Sequence, residues 1–418
     1  MTIYLTSIGG SLAACFCFYL LRDKEFSLKN IIWLIYFAIL AVAAYLFLDK
    51  VVYRMNHAAM WDFTAFYLYG KVAASGSNFY LPENYHQVYQ SLQLPASFYP
   101  ELSVEVLNVG FPYPPPTILY FAPLGLLSYD TALICWTIFN LFFVAGCIYL
   151  SYDQFFRKYK LNGLILVASL FFLFPPVKTT VTYSQTNFIL LFYLLLIKKY
   201  SDKKISGVLL ALAIFTKPYM IVFGLFLLLK KNWGAIFYSV ITGVALCAVA
   251  FLFFGKGPFL SYIFDNPSQR IPPEVFSEGL NQSLHAVLLR AGIITIDKPS
   301  VYMYIVSGIL LPTALYVYFL LKRKLYDYIF SVLLLVALLL CPATLNFYGV
   351  LLLVIIYQFF DEENQLGINP YLNFFIIGLF YGLGSYYLFS AICLLLTIVV
   401  VKSLIGNVIA VPAVTQYK

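Results

Sequence analysis

The chain has 418 residues, of which 62% are hydrophobic and only 11% are charged. Soluble domains carry about 25% charged residues, so most of this chain cannot face water, and an ordinary soluble enzyme is excluded. A net charge of +8 could indicate binding to nucleic acid, but the basic residues are concentrated in particular loops between the apolar segments. We therefore predict no nucleic-acid partner. The seven Cys form no CxxC pair and the three His are scattered, so no metal site and no cofactor are predicted.

Apolar segments that can cross a bilayer, which takes about 20 residues each, recur along the whole chain. We predict spans at 3–21, 30–49, 131–151, 161–176, 187–197, 234–254, 301–321, 325–342, 346–360, 371–387 and 388–404. No basic residue precedes the first segment, which favours a span with the N-terminus outside over a cleaved signal peptide. The pattern predicts an all-α integral membrane bundle of about 11–13 transmembrane helices, built as one polytopic domain over residues 1–418.

Two apolar segments do not fit a simple span. Residues 115–127 are short and open with consecutive prolines, which is typical of a re-entrant or interfacial segment. Residues 205–229 have lysine pairs at both ends, so both ends should face the same side. We therefore predict two half-helices that meet at Thr216-Lys217-Pro218, because a helix usually ends before a proline.

The distribution of Lys and Arg orients the bundle. Most of the 26 basic residues lie in short segments assigned to the cytoplasm, as the positive-inside rule expects. Two longer segments, 50–114 and 255–300, then face outward. We predict an integral protein of the plasma (inner) membrane whose active site lies on the extracytoplasmic side.

Asp62 lies near the start of the first outward segment, in the aromatic sequence Trp61-Asp62-Phe63. A carboxylate beside a span and among aromatic rings can be desolvated and act as a general base. The alternative is that Asp62 only caps a helix running toward Gly76.

Two polar or aromatic motifs follow. Tyr113 precedes Pro114, where consecutive prolines stiffen the backbone as the chain enters the membrane, and its ring could contact a lipid or a sugar. The alternative is that this motif has only a structural role. Gln185 and Asn187 lie between two spans, where their amides can bond sugar hydroxyls or merely cap the next helix.

Lys217 is the most informative residue, because a lysine amid apolar residues is costly and usually functional. At a half-helix turn its ammonium can hold a phosphate. The alternative is a lysine that extends to the membrane interface. Arg290, in the second outward segment, is a candidate second anion contact.

The remaining candidates are polar residues near the outward ends of spans. Asn281 and Gln282 offer donors and acceptors in the second outward segment, and Asn346 lies in a polar and aromatic turn. The same turn is equally well explained as a tight connection.

Taken in order, these motifs resemble glycosyltransferase family 87, the polyprenyl-phosphate-mannose-dependent mannosyltransferases with the GT-C fold. The resemblance covers about residues 55–350. It rests on Asp62-Phe63, Tyr113-Pro114-Pro115, Gln185-x-Asn187, Gly207 with the apolar run 209–213 before Lys217-Pro218, and Asn281-Gln282-Ser283 with Arg290.

The resemblance implies an inverting transfer of a sugar, expected to be mannose, from a polyprenyl-phosphate donor on the extracytoplasmic face. It implies Asp62 as the general base, and we assign Lys217 and Arg290 to the donor phosphate. Sugar or acceptor contacts are expected from Tyr113, Gln185, Asn187, Asn281, Gln282 and Asn346. The expected acceptor is a glycolipid or glycan, and the expected surroundings are the lipid bilayer.

Two departures from the family pattern stand out. An extra span precedes the first outward segment, and Asn346, Phe347 and Tyr348 occupy a turn where members tend to carry histidine. The competing interpretations are a transporter or flippase for a lipid-linked or anionic substrate, and a non-enzymatic membrane subunit.

Overall fold

The structure is a computed structural model that describes residues 2–22, 24, 26–27, 30–56, 61–91, 109–265, 276–277, 279–295, 299–366, 370–383 and 387–409. Helices make up nearly all of this part. Within these residues, β-type pairing is limited to one isolated antiparallel bridge between Asn281 and Leu345. The predicted all-α class is confirmed.

The described residues form nineteen α-helices. In chain order they are α1 (Thr2–Leu21), α2 (Ile31–Asn56), α3 (Trp61–Ala74), α4 (Pro82–Ser91), α5 (Ala122–Gly125), α6 (Tyr129–Ser151), α7 (Lys160–Leu173), α8 (Pro175–Thr182), α9 (Asn187–Lys199), α10 (Ile205–Thr216), α11 (Val222–Leu229), α12 (Trp233–Phe254), α13 (Lys256–Phe264), α14 (Leu284–Arg290), α15 (Pro299–Lys322), α16 (Tyr326–Leu340), α17 (Leu353–Leu366), α18 (Pro370–Leu383) and α19 (Leu388–Ile409). Short 3₁₀ segments cover Pro115–Tyr120, Arg157–Tyr159, Pro218–Ile221 and Asn346–Leu352, and a π-helical turn covers Tyr152–Phe156.

Four helical stretches of the described residues are long and apolar enough to cross a bilayer: Ile31–Met55, Tyr129–Leu173, Trp233–Phe254 and Ser300–Lys322. The second has 45 residues but is interrupted between α6 and α7, where Lys160 has a φ of 49°. Shorter apolar helices are Thr6–Leu21, Ile205–Thr216, Pro218–Leu229, Tyr326–Leu340, Asn346–Phe360 and Leu388–Leu404. The protein is an integral membrane protein with many apolar helices.

Two boundaries differ from the sequence-based prediction. The span predicted to end at residue 49 continues as helix, because α2 runs on to Asn56. The span predicted to end at residue 360 also continues, since α17 runs on to Leu366. Glutamate and glutamine are good helix formers, which explains why this polar end remains helical.

The predicted break at Lys217 is confirmed. Lys217 is extended (φ −148°, ψ 114°) between the end of α10 and the 3₁₀ turn that starts at Pro218. A helix end leaves carbonyl groups without helical partners. The hydroxyl of Thr117 donates to the carbonyl of Phe215, so the 3₁₀ segment Pro115–Tyr120 is fastened to the break.

Glycines set two close backbone contacts near the site. A Cβ added to Gly70 would lie 2.1 Å from the carbonyl oxygen of Phe121, and one added to Gly125 would lie 2.1 Å from the oxygen of Gly70. Helix α3 therefore packs directly on α5, and the Phe66 and Phe121 rings stack beside this contact with centroids 4.5 Å apart. This packing fixes the position of the N-terminal turn of α3, which carries Asp62.

Candidate active site

Asp62 lies in the first turn of α3 and is partly buried. Burial raises the pKa of its carboxyl group from 3.8 to about 6, although a hydrogen bond from Gln185 and the charges of Lys217 and Arg54 act in the opposite direction. Since α3 begins at Trp61, Asp62 belongs to the helix, and its carboxylate is bound by Gln185 from another segment. This geometry suits a general base with a pKa near neutrality.

The turn between α8 and α9 carries two amide side chains, of which that of Gln185 hydrogen-bonds Asp62. Ser184 has a φ of 52°, and its carbonyl accepts a hydrogen bond of 2.9 Å from the indole of Trp136. Gln185 follows in this turn and is buried. Asn187 starts α9 and donates to the carbonyl of Phe347 at 3.3 Å. Contacts with distant segments thus hold the turn that carries Gln185 and Asn187.

Lys217 lies between two tyrosine rings. Its Nζ is 5.1 Å from the ring centroid of Tyr113 and 5.0 Å from that of Tyr348. It also donates a hydrogen bond of 2.7 Å to the hydroxyl of Tyr348. The side chain is buried, with 6% exposed, so it does not extend to the water interface. The structure therefore places a cation at the break in the helix, beside aromatic surfaces and within electrostatic reach of Asp62.

Several buried polar atoms around this group have no hydrogen-bond partner among the described residues. They are Oε1 of Gln185, Oδ1 of Asn187 and the hydroxyl of Tyr219. Tyr219 lies beside Tyr348, with ring centroids 6.0 Å apart. Because buried polar groups are usually hydrogen-bonded, these atoms are suited to bind the hydroxyl groups of a ligand.

Arg54 is a site residue that the sequence interpretation missed. It is 2% exposed, its Nε donates to the hydroxyl of Ser184 at 2.6 Å, and it also hydrogen-bonds Tyr129. The available signal was periodicity, since Arg54 continues the buried stripe of Phe47 and Val51 at helical spacing. Ending the span at residue 49 concealed this pattern.

Arg290 and its neighbours join the second outward segment to the turn before Asn346. Arg290 Nη1 donates to the carbonyl of Asn281 at 2.8 Å, and Asn281 Nδ2 donates to the carbonyl of Pro342 at 2.8 Å. The backbone N–H of Gln282 donates a 2.7 Å hydrogen bond to the carbonyl of Thr344. Its side-chain Nε2 donates a 2.6 Å hydrogen bond to the carbonyl of Gly279. These described contacts are structural, and the expected roles of these three residues toward the substrate stay predictions.

Asn346 is closer to the centre of the site. It is buried, and its backbone N–H donates to the carbonyl of Leu280 at 3.0 Å. The next residue, Phe347, accepts from Thr180 and Asn187 at 3.2 and 3.3 Å. The turn that begins at Asn346 thus links the amide cluster to Tyr348, the partner of Lys217.

Three grooves border residues next to this group. One borders Arg54, Ser184 and Trp136. An apolar groove of about 850 Å³ runs between α10, α11 and α12, and another of about 440 Å³ lies against the 3₁₀ segment Pro115–Tyr120. Phe215, just before Lys217, lines both apolar grooves.

The site offers a carboxylate, a fixed cation and free amide and hydroxyl atoms. Within the described ranges no group of three or more His, Cys, Asp or Glu side chains is placed to hold a metal ion. This combination supports proton abstraction, binding of an anionic group and binding of a polyol.

Comparison with known proteins gives one match. The model of glycosyltransferase family 87 matches residues 111–363, more than half of the chain. The matched range includes Tyr113, Gln185 and Lys217, while Arg54 and Asp62 precede it. No curated protein and no solved structure matches the chain. The chain belongs to glycosyltransferase family 87 and is a membrane glycosyltransferase.

Proposed function

We propose that this glycosyltransferase moves mannose from a polyprenyl-phosphate donor to a hydroxyl group of a glycolipid or glycan acceptor. The reaction takes place on the extracytoplasmic face of the plasma membrane and inverts the anomeric carbon. The observation that carries this proposal is the grouping of Asp62, Gln185 and Lys217, which come from three separate segments. A transporter needs no such pairing of a base with an anion site, and the family assignment favours transfer.

Asp62 acts as the general base. Its pKa of about 6 leaves the carboxylate mostly ionised at pH 7, yet keeps it basic enough to accept a proton. The acceptor oxygen attacks the anomeric carbon while its proton passes to Asp62. The bond from that carbon to the phosphate oxygen breaks, and the electron pair leaves with the phosphate.

Lys217 stabilises the leaving group. Departure of polyprenyl phosphate concentrates negative charge on the phosphate, and a desolvated cation lowers the energy of that state. The ammonium has three donors, and the hydrogen bonds described for Lys217 use one, to Tyr348. The others can bind phosphate oxygens. A phosphate leaving group needs no protonation, so one carboxylate suffices, unlike the pair used in glycoside hydrolysis.

The remaining features suit the rest of the donor. The apolar grooves that meet at Phe215 fit an isoprenoid chain. Gln185 Oε1, Asn187 Oδ1 and the hydroxyl of Tyr219 are placed to bond sugar hydroxyls. Tyr113 adds an aromatic face beside the cation.

The test is transfer of radiolabel from polyprenyl-phosphate-mannose in proteoliposomes that contain the acceptor lipids of the native membrane. Wild-type protein should transfer label, and Asp62→Asn should lower the rate by about 10²–10⁴-fold. Asp202→Asn is the matched control, because Asp202 is exposed and pairs with Lys230.

Each failure has its own meaning. Near-normal transfer by Asp62→Asn would refute the base assignment. Transfer only from a different polyprenyl-phosphate sugar would correct the sugar, and transfer from no donor of this class would refute the donor.

A further inference from the structure

A large basic cavity lies at the end of α2 opposite to the active site. Trp33 lines it, and Arg54 lies near the other end of the same helix, about 30 Å away at 1.5 Å per residue. The cavity is open to solvent, and its empty volume, which includes part of that open space, is about 990 Å³. It is therefore separated from Asp62 by roughly the thickness of the hydrocarbon layer.

Cationic side chains line this cavity from two segments. They are Arg22 and Lys24, just after α1, and Lys158 and Lys160, between α6 and α7. All four are exposed. Lys160 begins α7 with a φ of 49°, which turns the chain sharply beside Lys158. Two segments that are distant in the chain thus bring four basic side chains to the lining of one opening.

Apolar and amide side chains also line the cavity and can contact the uncharged part of a lipid headgroup. Phe26 and Leu161 are exposed apolar side chains. Asn162 is 3% exposed; its Nδ2 donates to the carbonyl of Phe18, and its Oδ1 has no hydrogen-bond partner among the described residues. Cations suit a phosphate, and the free acceptor suits a hydroxyl group.

We propose that this cavity binds the headgroup of an anionic, hydroxyl-bearing phospholipid, chemically a phosphatidylglycerol. Basic pockets between transmembrane helices are suited to such headgroups. The exposed apolar rim favours a lipid over a soluble phosphate compound, because it offers a surface to the glycerol and acyl segments. The site would bind a lipid that takes no part in sugar transfer.

The experiment measures lipid binding to the full-length protein, independently of its catalytic activity. Protein in neutral detergent is titrated with phosphatidylglycerol, phosphatidylcholine or inorganic phosphate, and thermal unfolding and native mass spectrometry report binding. Phosphatidylglycerol should raise the unfolding temperature, and Lys158→Gln/Lys160→Gln should weaken its binding about tenfold or more. Lys203→Gln/Lys231→Gln is the matched control, since both lysines are exposed and lie outside the cavity.

The outcomes separate the possible ligands. Loss of phosphatidylglycerol binding in the cavity variant but not in the control supports the site. Equal binding by both variants, or equal effects of the two phospholipids, overturns it. Stabilisation by inorganic phosphate alone that the cavity variant loses would overturn the lipid assignment in favour of a soluble phosphate.

Discussion

Lys217 and Tyr348 are 131 positions apart in the chain, and yet the ammonium of Lys217 donates a 2.7 Å hydrogen bond to the tyrosine hydroxyl. Each residue lies at an interruption of regular α-helix, one at the break after α10 and the other in the 3₁₀ segment Asn346–Leu352. Non-helical backbone at membrane depth is tolerated where it is buried in protein or lines a cavity. The two interruptions meet around one buried charge.

Replacing Lys217 should mainly affect the donor. We expect Lys217→Met to lower kcat/KM for the polyprenyl-phosphate sugar by at least about 100-fold, because the phosphate loses a charge-assisted contact. Tyr348→Phe keeps the ring and removes one hydrogen bond, so a loss of about 5–10-fold is expected.

Steady-state kinetics with varied donor measure both effects. Tyr304→Phe serves as the control, because Tyr304 is 77% exposed on α15. An unchanged donor dependence in Lys217→Met would exclude Lys217 from phosphate binding.

Arg54 should influence the lower end of the pH range of the reaction. Its positive charge lowers the pKa of Asp62, against the larger effect of burial. In the wild type, activity should fall as the pH drops through about 6, because Asp62 takes up a proton and can no longer act as a base. Arg54→Met should raise this pKa, so its activity should already fall at a higher pH than that of the wild type.

The pH dependence of kcat/KM tests this shift. Arg54→Lys keeps the charge and should show a smaller displacement than Arg54→Met. If the acidic limb of Arg54→Met coincided with that of the wild type, Arg54 would have only a packing role.

Gly70 should be intolerant of any side chain. A methyl group there would meet the Phe121 backbone at 2.1 Å, so Gly70→Ala should cost about 1–3 kcal/mol of stability. The same displacement of α3 should reduce transfer, since it moves Asp62. Thermal unfolding and activity are compared with Gly308→Ala, where no heavy atom lies within 4 Å. Equal stability of the two variants would argue against the tight α3–α5 contact.

The proposed orientation can be checked by chemical labelling. In a background with Cys135 replaced by serine, a membrane-impermeant maleimide should label Ser75→Cys in intact cells. It should label Lys203→Cys only after permeabilisation, because positive residues favour the cytoplasmic side. Both positions are exposed. The reverse pattern would place the active site in the cytoplasm.

The sequence was most informative where burying a residue among its neighbours costs free energy. Lys217 stands out among apolar neighbours, and Pro218 marks the break, so both could be predicted from general physics. Asp62 was conspicuous among aromatic residues, and the structure brings it to Gln185 and Lys217.

Other site features depend on contacts that no local pattern encodes. Arg54 looked like a loop residue because the end of α2 was placed too early. The guanidinium of Arg290 bonds the carbonyl of Asn281, a partner set by tertiary packing that the sequence does not reveal, and its role as an anion contact stays a prediction. Tyr348 could not be singled out among 36 tyrosines without knowing that its turn faces Lys217.

The broken segment 205–229 has a consequence for how the protein enters the membrane. Its halves, α10 and α11, have 12 and 8 residues, whereas an independent crossing needs about 20. Neither half can be retained in the bilayer alone, so stable integration requires the neighbours that cover it, such as α12, whose Ala235 backbone touches Gly207. We therefore expect Lys217, at the junction of the two halves, to enter the membrane together with these partners.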